Sequence, residues 1–170
     1  MHALKLSLPV LVAFLLSGCA GYHLGPVNGA VAGDKSIEIL PFNNQTFQPR
    51  LGDAVTQSLR EDFQNDATFR LVTHGPGDII VTGTIHSYTR HGIGYLSTDS
   101  ETPEDFQVEA IAHVTARDVA SGKLLLDKDI SGRTLVHVGS DLASAERQAM
   151  PLLADDLAQN ITELLAEGAW

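Results

Sequence analysis

Phe106-Gln107-Val108-Glu109-Ala110-Ile111-Ala112-His113-Val114-Thr115-Ala116-Arg117 alternates with a period of two. Phe106, Val108, Ala110, Ala112, Val114 and Ala116 fall on one side of that alternation. Gln107, Glu109, His113, Thr115 and Arg117 fall on the other, with Ile111 the exception. Successive side chains of a strand point to opposite faces of a sheet, so this segment predicts a strand with one dry and one wet face. The small Ala side chains of the dry face let a helix approach closely. A sheet with one dry face must be covered on that side, and this requirement sets the fold class.

Working outward, Asp78 to Arg90 predicts a second long strand. Ile79, Val81, Gly83 and Ile85 there alternate with Ile80, Thr82, Thr84 and His86. A polar connection over residues 91–105 joins the two. Downstream, Ala120-Ser121-Gly122 is a turn into a further strand from Lys123 to Val138, with a possible break at Ser131-Gly132. Upstream, Ser36 to Leu40 is a strand ended by Pro41, which has no N–H for a ladder. Asn43-Asn44-Gln45-Thr46 is a turn. From Pro49 to Asn65, Leu51, Val55, Leu59 and Phe63 recur every four residues, widened by Ala54, which predicts a helix with one buried face. Phe69-Arg70-Leu71-Val72 is a short extended piece, broken by His74-Gly75-Pro76-Gly77. A helix closes the chain from Asp141 to Ala166, in which Pro151 introduces a kink or a split. The expectation is an α+β two-layer sandwich over residues 35–170: a mainly antiparallel four-stranded sheet with two helices on one face.

The chain has 170 residues, 44% of them apolar, with 21 acidic and 11 basic side chains and a net charge of −10. That is enough apolar material for one core and too much for a disordered acidic chain. The acid excess argues against nucleic-acid binding, which depends on Lys and Arg at phosphates. A single cysteine excludes an internal disulfide and a thiolate zinc cluster. That cysteine, Cys19, follows the apolar run Leu6 to Leu16, which is too short for a membrane span of about 20 residues and has the proportions of a signal-peptide core. Leu16-Ser17-Gly18-Cys19 resembles the bacterial lipobox. The resemblance implies a signal peptide over residues 1–18 and a diacylglyceryl group on the Cys19 thiol, with a further acyl chain such as palmitate on its amine. A lipidated tether then occupies residues 19–34. Ala20, in place of Asp, points by the same resemblance to the outer membrane. Removing residues 1–18 takes away Lys5 and no acid, leaving 21 acids against 10 bases.

No catalytic motif is present in the sequence. Gly92-Ile93-Gly94 lacks the third glycine and the strand-to-helix setting of a dinucleotide site. Histidines 74, 86, 91, 113 and 137 are scattered over separate elements; His86 and His113 can be neighbours on the wet face, where polar strand residues are the commoner explanation. No catalytic residue, cofactor or metal is therefore expected. What is left is surface: Thr82, Thr84, His86, Tyr88, Gln107, Glu109, His113, Thr115 and Arg117 on the wet face. Arg90, His91, Tyr95 and Leu96 lie in the connection and Arg133 in the neighbouring strand, either as a local basic and aromatic spot or as a solvent-exposed loop tip.

Cys19-Ala20-Gly21-Tyr22-His23-Leu24 resembles the Cys-Gly-Tyr-His-Leu start of the lipopolysaccharide-assembly lipoproteins, the LptE family. Ile37-Glu38-Ile39-Leu40-Pro41-Phe42-x-Asn44 resembles that family's first strand and turn, and Asp78 to Ile85 its Asp, apolar run and Gly segment. The resemblance implies a non-enzymatic lipoprotein on the periplasmic face of the outer membrane. Such a protein supports the assembly of an LptD-type β-barrel and plugs it while lipopolysaccharide reaches the outer leaflet. It also implies lipopolysaccharide contact through basic residues, for which Arg90 and Arg133 are the candidates; the acid excess departs from a generally cationic binder. The strand-Pro-Phe-x-Asn segment also resembles TolB-N-like periplasmic lipoproteins that activate peptidoglycan enzymes by docking. Against them stands the short tether: about 15 residues at roughly 3.5 Å each reach near 50 Å at most. Cys19→Ser is expected to abolish metabolic lipid labelling and membrane retention; continued labelling would remove the anchor.

Overall fold

The protein is described by a computed structural model over residues 33–66, 68–96, 99–138 and 141–168. Its elements are β1 (Ser36–Ile39), β2 (Asn43–Asn44), α1 (Leu51–Asp66), β3 (Arg70–Val72), β4 (Ile79–Leu96), β5 (Asp99–Asp118), β6 (Leu124–His137) and α2 (Leu142–Ala166). They form one sheet in the order β3-β1-β4-β5-β6, with β2 also paired to β4. Cys19 and the tether up to residue 32 lie outside the described residues.

The α+β class and the two helices are as expected, but the sheet is six-stranded and mixed. β1 runs parallel to both β3 and β4, and β2 is parallel to β4, while β4-β5-β6 is antiparallel. The reason lies in α1, which carries the chain back between β1 and β3 so that both enter the sheet in the same direction. β2 and β3 have two and three residues; a period of two cannot register over so few positions, so the sequence reads as a turn and an extended piece.

The core forms where the periodicities meet. Leu51, Val55, Leu59 and Phe63 of α1 are buried, as are Leu153, Leu157, Ile161 and Leu165 of α2. Each such side chain contributes about 1.5–3 kcal/mol on leaving water. They pack on Ile37, Ile39, Val81, Ile85 and the small row Ala110, Ala112 and Ala116, all at or near zero exposure. Two further hollows accept neighbours: a Cβ on Gly83 would stand 2.1 Å from the Phe42 ring, and one on Gly132 would stand 2.6 Å from the backbone nitrogen of Leu157. Ser131-Gly132 is thus no break in β6. It is the point where α2 presses on the strand, and Asp156 and Asn160 complete the contact. Asp156 Oδ2 accepts from the Arg133 N–H at 2.7 Å, and Asn160 Nδ2 donates to Ser131 O at 2.9 Å, so one helix face bonds the middle of the edge strand.

The hairpin is longer than expected. Residues 91–105, read as a polar connection, continue the ladder to Leu96 and Asp99, with register shifts around Gly94. Neither face there needs to be dry, so hydrophobic alternation is absent although the backbone is extended. α2 begins at Asp141, whose carboxylate accepts from the N–H groups of Ala143 and Ser144. It runs undivided through Pro151, which is exposed, so the helix is not split there.

At the open end of the sheet, Asp105 Oδ1 receives His137 Nδ1 at 2.6 Å, tying β5 to β6. That hydrogen bond and the charge of Asp105 raise the His137 pKa above its ordinary value. A raised histidine pKa stabilises the fold below the unfolded value, about 6.5, and the contribution fades as pH rises through the folded value. An NMR titration is expected to show the His137 imidazole titrating above its ordinary range, and Asp105→Asn to return it there. Gly132→Ala is expected to destabilise the domain by about 1–3 kcal/mol in urea unfolding, because the backbone of α2 must move outward.

Candidate functional site

One residue decides what faces what along β4. Ile85 pairs with Ala112 and Ser87 with Ile111, which leaves His86 as an extra residue in a β-bulge. Before it, Ile79, Val81, Gly83 and Ile85 face the helices. After it the phase is reversed, and Tyr88 and Arg90, opposite Ala110 and Val108, face them instead. Tyr88, expected on the open face beside Thr82 and Thr84, is therefore on the helix side. Its hydroxyl lies 3.4 Å from Glu146 Oε1 of α2, and Arg90 Nη1 lies 3.0 Å from the same oxygen. Burial, and then the charge of Glu146, push the Tyr88 hydroxyl up to about 12, so it is a neutral donor.

Arg133 stands on the other face. Its Nε and Nη2 lie 2.8 and 2.7 Å from Glu109 Oε1. The two candidate arginines are thus not brought together: each is paired with a carboxylate, on opposite sides of one sheet. The open face also carries the pair anticipated from the wet side of the strands. His86 Nε2 and His113 Nδ1 approach the same oxygen of Asp129 at 3.5 and 2.9 Å, and His113 Nε2 approaches Asp127 at 3.0 Å. Hydrogen bonding from His113 lowers the Asp129 pKa. Among the described residues no group of three or more His, Cys, Asp or Glu is arranged to hold a metal ion. Gly92-Ile93-Gly94 lies inside β4, not at a strand-to-helix turn.

The concave feature next to Arg90 was not legible in the sequence. The connection from β2 to α1 is organised by Asn44, which accepts from the Thr46 N–H at 3.0 Å and donates to Gln48 O at 2.7 Å. It ends at Arg50, whose φ of 64° is left-handed, before α1 begins. This places Phe47 fully in solvent. Between this loop and β4 lies a cleft of about 450 Å³, with Gln45, Phe47, Ser87, Tyr88, Arg90 and Glu146 on its walls. A second cleft of about 380 Å³ lies across the loop, bounded by Arg50, Arg147 and Met150. Glu146 belongs to both, and nothing in its helical spacing marks it out. Phe47 alone had a signal, as a lone aromatic in a polar stretch.

No helix among the described residues is long and apolar enough to cross a membrane. No curated protein matches the sequence. In fold the chain is similar to a hypothetical protein from Chlamydia trachomatis, with a TM-score of 0.56 at 10% identity, covering 80% of this chain and 96% of that one. It is also similar to a minor lipoprotein from Acinetobacter baumannii, with a TM-score of 0.52 at 13% identity, covering 78% of this chain and 92% of that one. At such identities the likeness concerns the fold alone. The sequence itself matches the LptE, lipopolysaccharide-assembly, family model over residues 35–165. That match runs from the start of β1 to the last turn of α2, and the chain belongs to the LptE family.

Proposed function

We propose that this protein is an outer-membrane lipoprotein, held on the periplasmic face through Cys19, that supports the assembly of an LptD-type β-barrel and plugs it during lipopolysaccharide insertion. The observation that carries the reading is the family match over residues 35–165. The fold is consistent with a plug held by protein contacts. It is a two-layer domain whose second sheet face is uncovered among the described residues, and whose His86, His113 and Arg133 there are engaged with carboxylates. The role is structural and non-enzymatic, and no cofactor is invoked.

Lipopolysaccharide contact through Arg90 and Arg133 belongs to the same proposal. Since the two lie on opposite faces, a ligand phosphate would displace Glu146 from Arg90 or Glu109 from Arg133, and the two sites would act independently. In both pairs the arginine is the more exposed partner, so it is the side open to an incoming phosphate.

The test is purification of the full-length lipidated protein from an outer-membrane extract. A large barrel is expected to accompany it, whereas recovery of peptidoglycan synthases in its place would favour the docking-activator reading. Arg90→Glu and Arg133→Glu, made separately, are each expected to weaken lipopolysaccharide binding about tenfold, the value of one charge-assisted hydrogen bond. Unchanged binding in either variant removes that arginine from the site.

A further inference from the structure

Two clefts meet at the first turns of α2, and Glu146 lies on the walls of both. In the first it supplies the only carboxylate among the described residues, beside Arg90. Its hold on that arginine is narrow. A single guanidinium nitrogen, Nη1, meets a single carboxylate oxygen, Oε1, at 3.0 Å, and the Tyr88 hydroxyl shares the same oxygen at 3.4 Å. Arg133, by contrast, meets Glu109 through both Nε and Nη2. An arginine carries five N–H donors in a planar fork, which suits two parallel bonds to a carboxylate or phosphate. Glu146 leaves Nε and Nη2 of Arg90 unengaged. The exposures agree: the Glu146 side chain is 12% exposed and that of Arg90 45%, so the carboxylate is sheltered and the guanidinium meets solvent. On the walls of the second cleft are Arg50 and Arg147. Arg147 Nη2 donates to Ser144 Oγ at 2.7 Å, and neither arginine forms an ion pair among the described residues.

We propose that Glu146 is a built-in competitor for the anion site at Arg90: it holds the guanidinium until a lipopolysaccharide phosphate takes it, and then turns into the second cleft toward Arg50 and Arg147. The inference rests on lipopolysaccharide contact at Arg90 and adds what controls it. With Glu146 in place the charge of Arg90 is balanced, and the pair attracts a passing anion only weakly. A free carboxylate offers Arg90 the same chemistry as Glu146, which is tethered at the site and prevails by effective concentration. A phosphate brings more charge and a bidentate seat on Nε and Nη2, and displaces it. The two anions do not share the guanidinium, because adjacent like charges repel. A sheltered carboxylate stripped of its cation is costly, so it leaves for other cations. A change of side-chain rotamer suffices, with α2 unmoved. The contact thereby selects phosphate over carboxylate, on a chain that itself carries 21 acidic side chains.

The test is equilibrium binding of purified lipopolysaccharide to the full-length lipidated protein. Glu146→Gln keeps the shape of the side chain and is expected to tighten binding about tenfold. Glu146→Ala is expected to do the same. Arg90→Gln is expected to cancel the gain, so that Arg90→Gln with Glu146→Gln binds no more tightly than Arg90→Gln alone. Arg50→Gln with Arg147→Gln is expected to weaken binding about threefold when Glu146 is present, since the released carboxylate loses its second seat, and to leave binding by Glu146→Gln unchanged. Unchanged or weaker binding in both Glu146 variants, with Arg90→Gln still weaker than wild type, overturns the competitor and leaves the Arg90 contact standing. A gain that survives Arg90→Gln overturns it as well, as an effect of overall charge. Equal losses from the Arg50 and Arg147 substitutions with and without Glu146 overturn the second seat, since those arginines then touch the ligand themselves. If neither the wild-type protein nor the Glu146 variants bind lipopolysaccharide, both the lipopolysaccharide reading and this inference fall.

Discussion

The close approach of α2 to β6 is the constraint on which the other contacts depend. It exists because position 132 carries no side chain: any Cβ there would meet the Leu157 backbone at well below contact distance. With the helix that close, Asp156 and Asn160, one turn apart on the same face, reach the strand edge and bond it as a neighbouring strand would. An edge strand of 14 residues is otherwise a template for unwanted pairing, and here its middle is occupied. The same placement fixes the start of α2. Glu146 lies eleven residues before Leu157, about 16 Å along the axis, and so meets Tyr88 and Arg90 on β4. The ion pair beside the cleft is a consequence of a glycine two strands away.

The His86 bulge is the second determinant. Were the alternation to continue without the bulge, Ser87 and Thr89 would face α2, while Tyr88 and Arg90 would join the threonines on the open face. Glu146 would then face no cation and would lose the tyrosine donor. One residue thus assigns a basic side chain to the helix side of a sheet whose other face already holds Arg133. Charge on this acidic domain is distributed by strand phase more than by composition.

Much of the fold was legible because burial imposes a period. β5 announced itself through Val108, Ala110, Ala112, Val114 and Ala116, and α1 through four apolar residues at spacing four. What could not be read lies where burial imposes nothing. Beyond Arg90 the hairpin leaves the helices behind, so the stretches Gly92 to Leu96 and Asp99 to Asp105 look like a connection although they belong to paired strands. The parallel strands β2 and β3 are too short to carry a pattern. A bulge has no sequence signature of its own, so alternation alone puts Tyr88 on the wrong face. Arg90 and Arg133 could be picked out as cations, but neither the carboxylate paired with each nor the sheet that separates them is visible in one dimension. The cleft depends on where β2 stops, which is a property of the loop turned by Asn44 and Arg50.

The long hairpin also gives the molecule a length. β4 begins beside the first described residues, where Lys35 pairs with Asp118 and Ser36 with Asp78. It ends at Leu96, 17 residues later, so the two ends of the strand are at most about 60 Å apart. A bilayer with its headgroups measures about 40–45 Å. The long axis of this domain is thus comparable to the thickness of a bilayer. The sheet is in that sense a ruler, and its scale is set by the count of residues in a single strand.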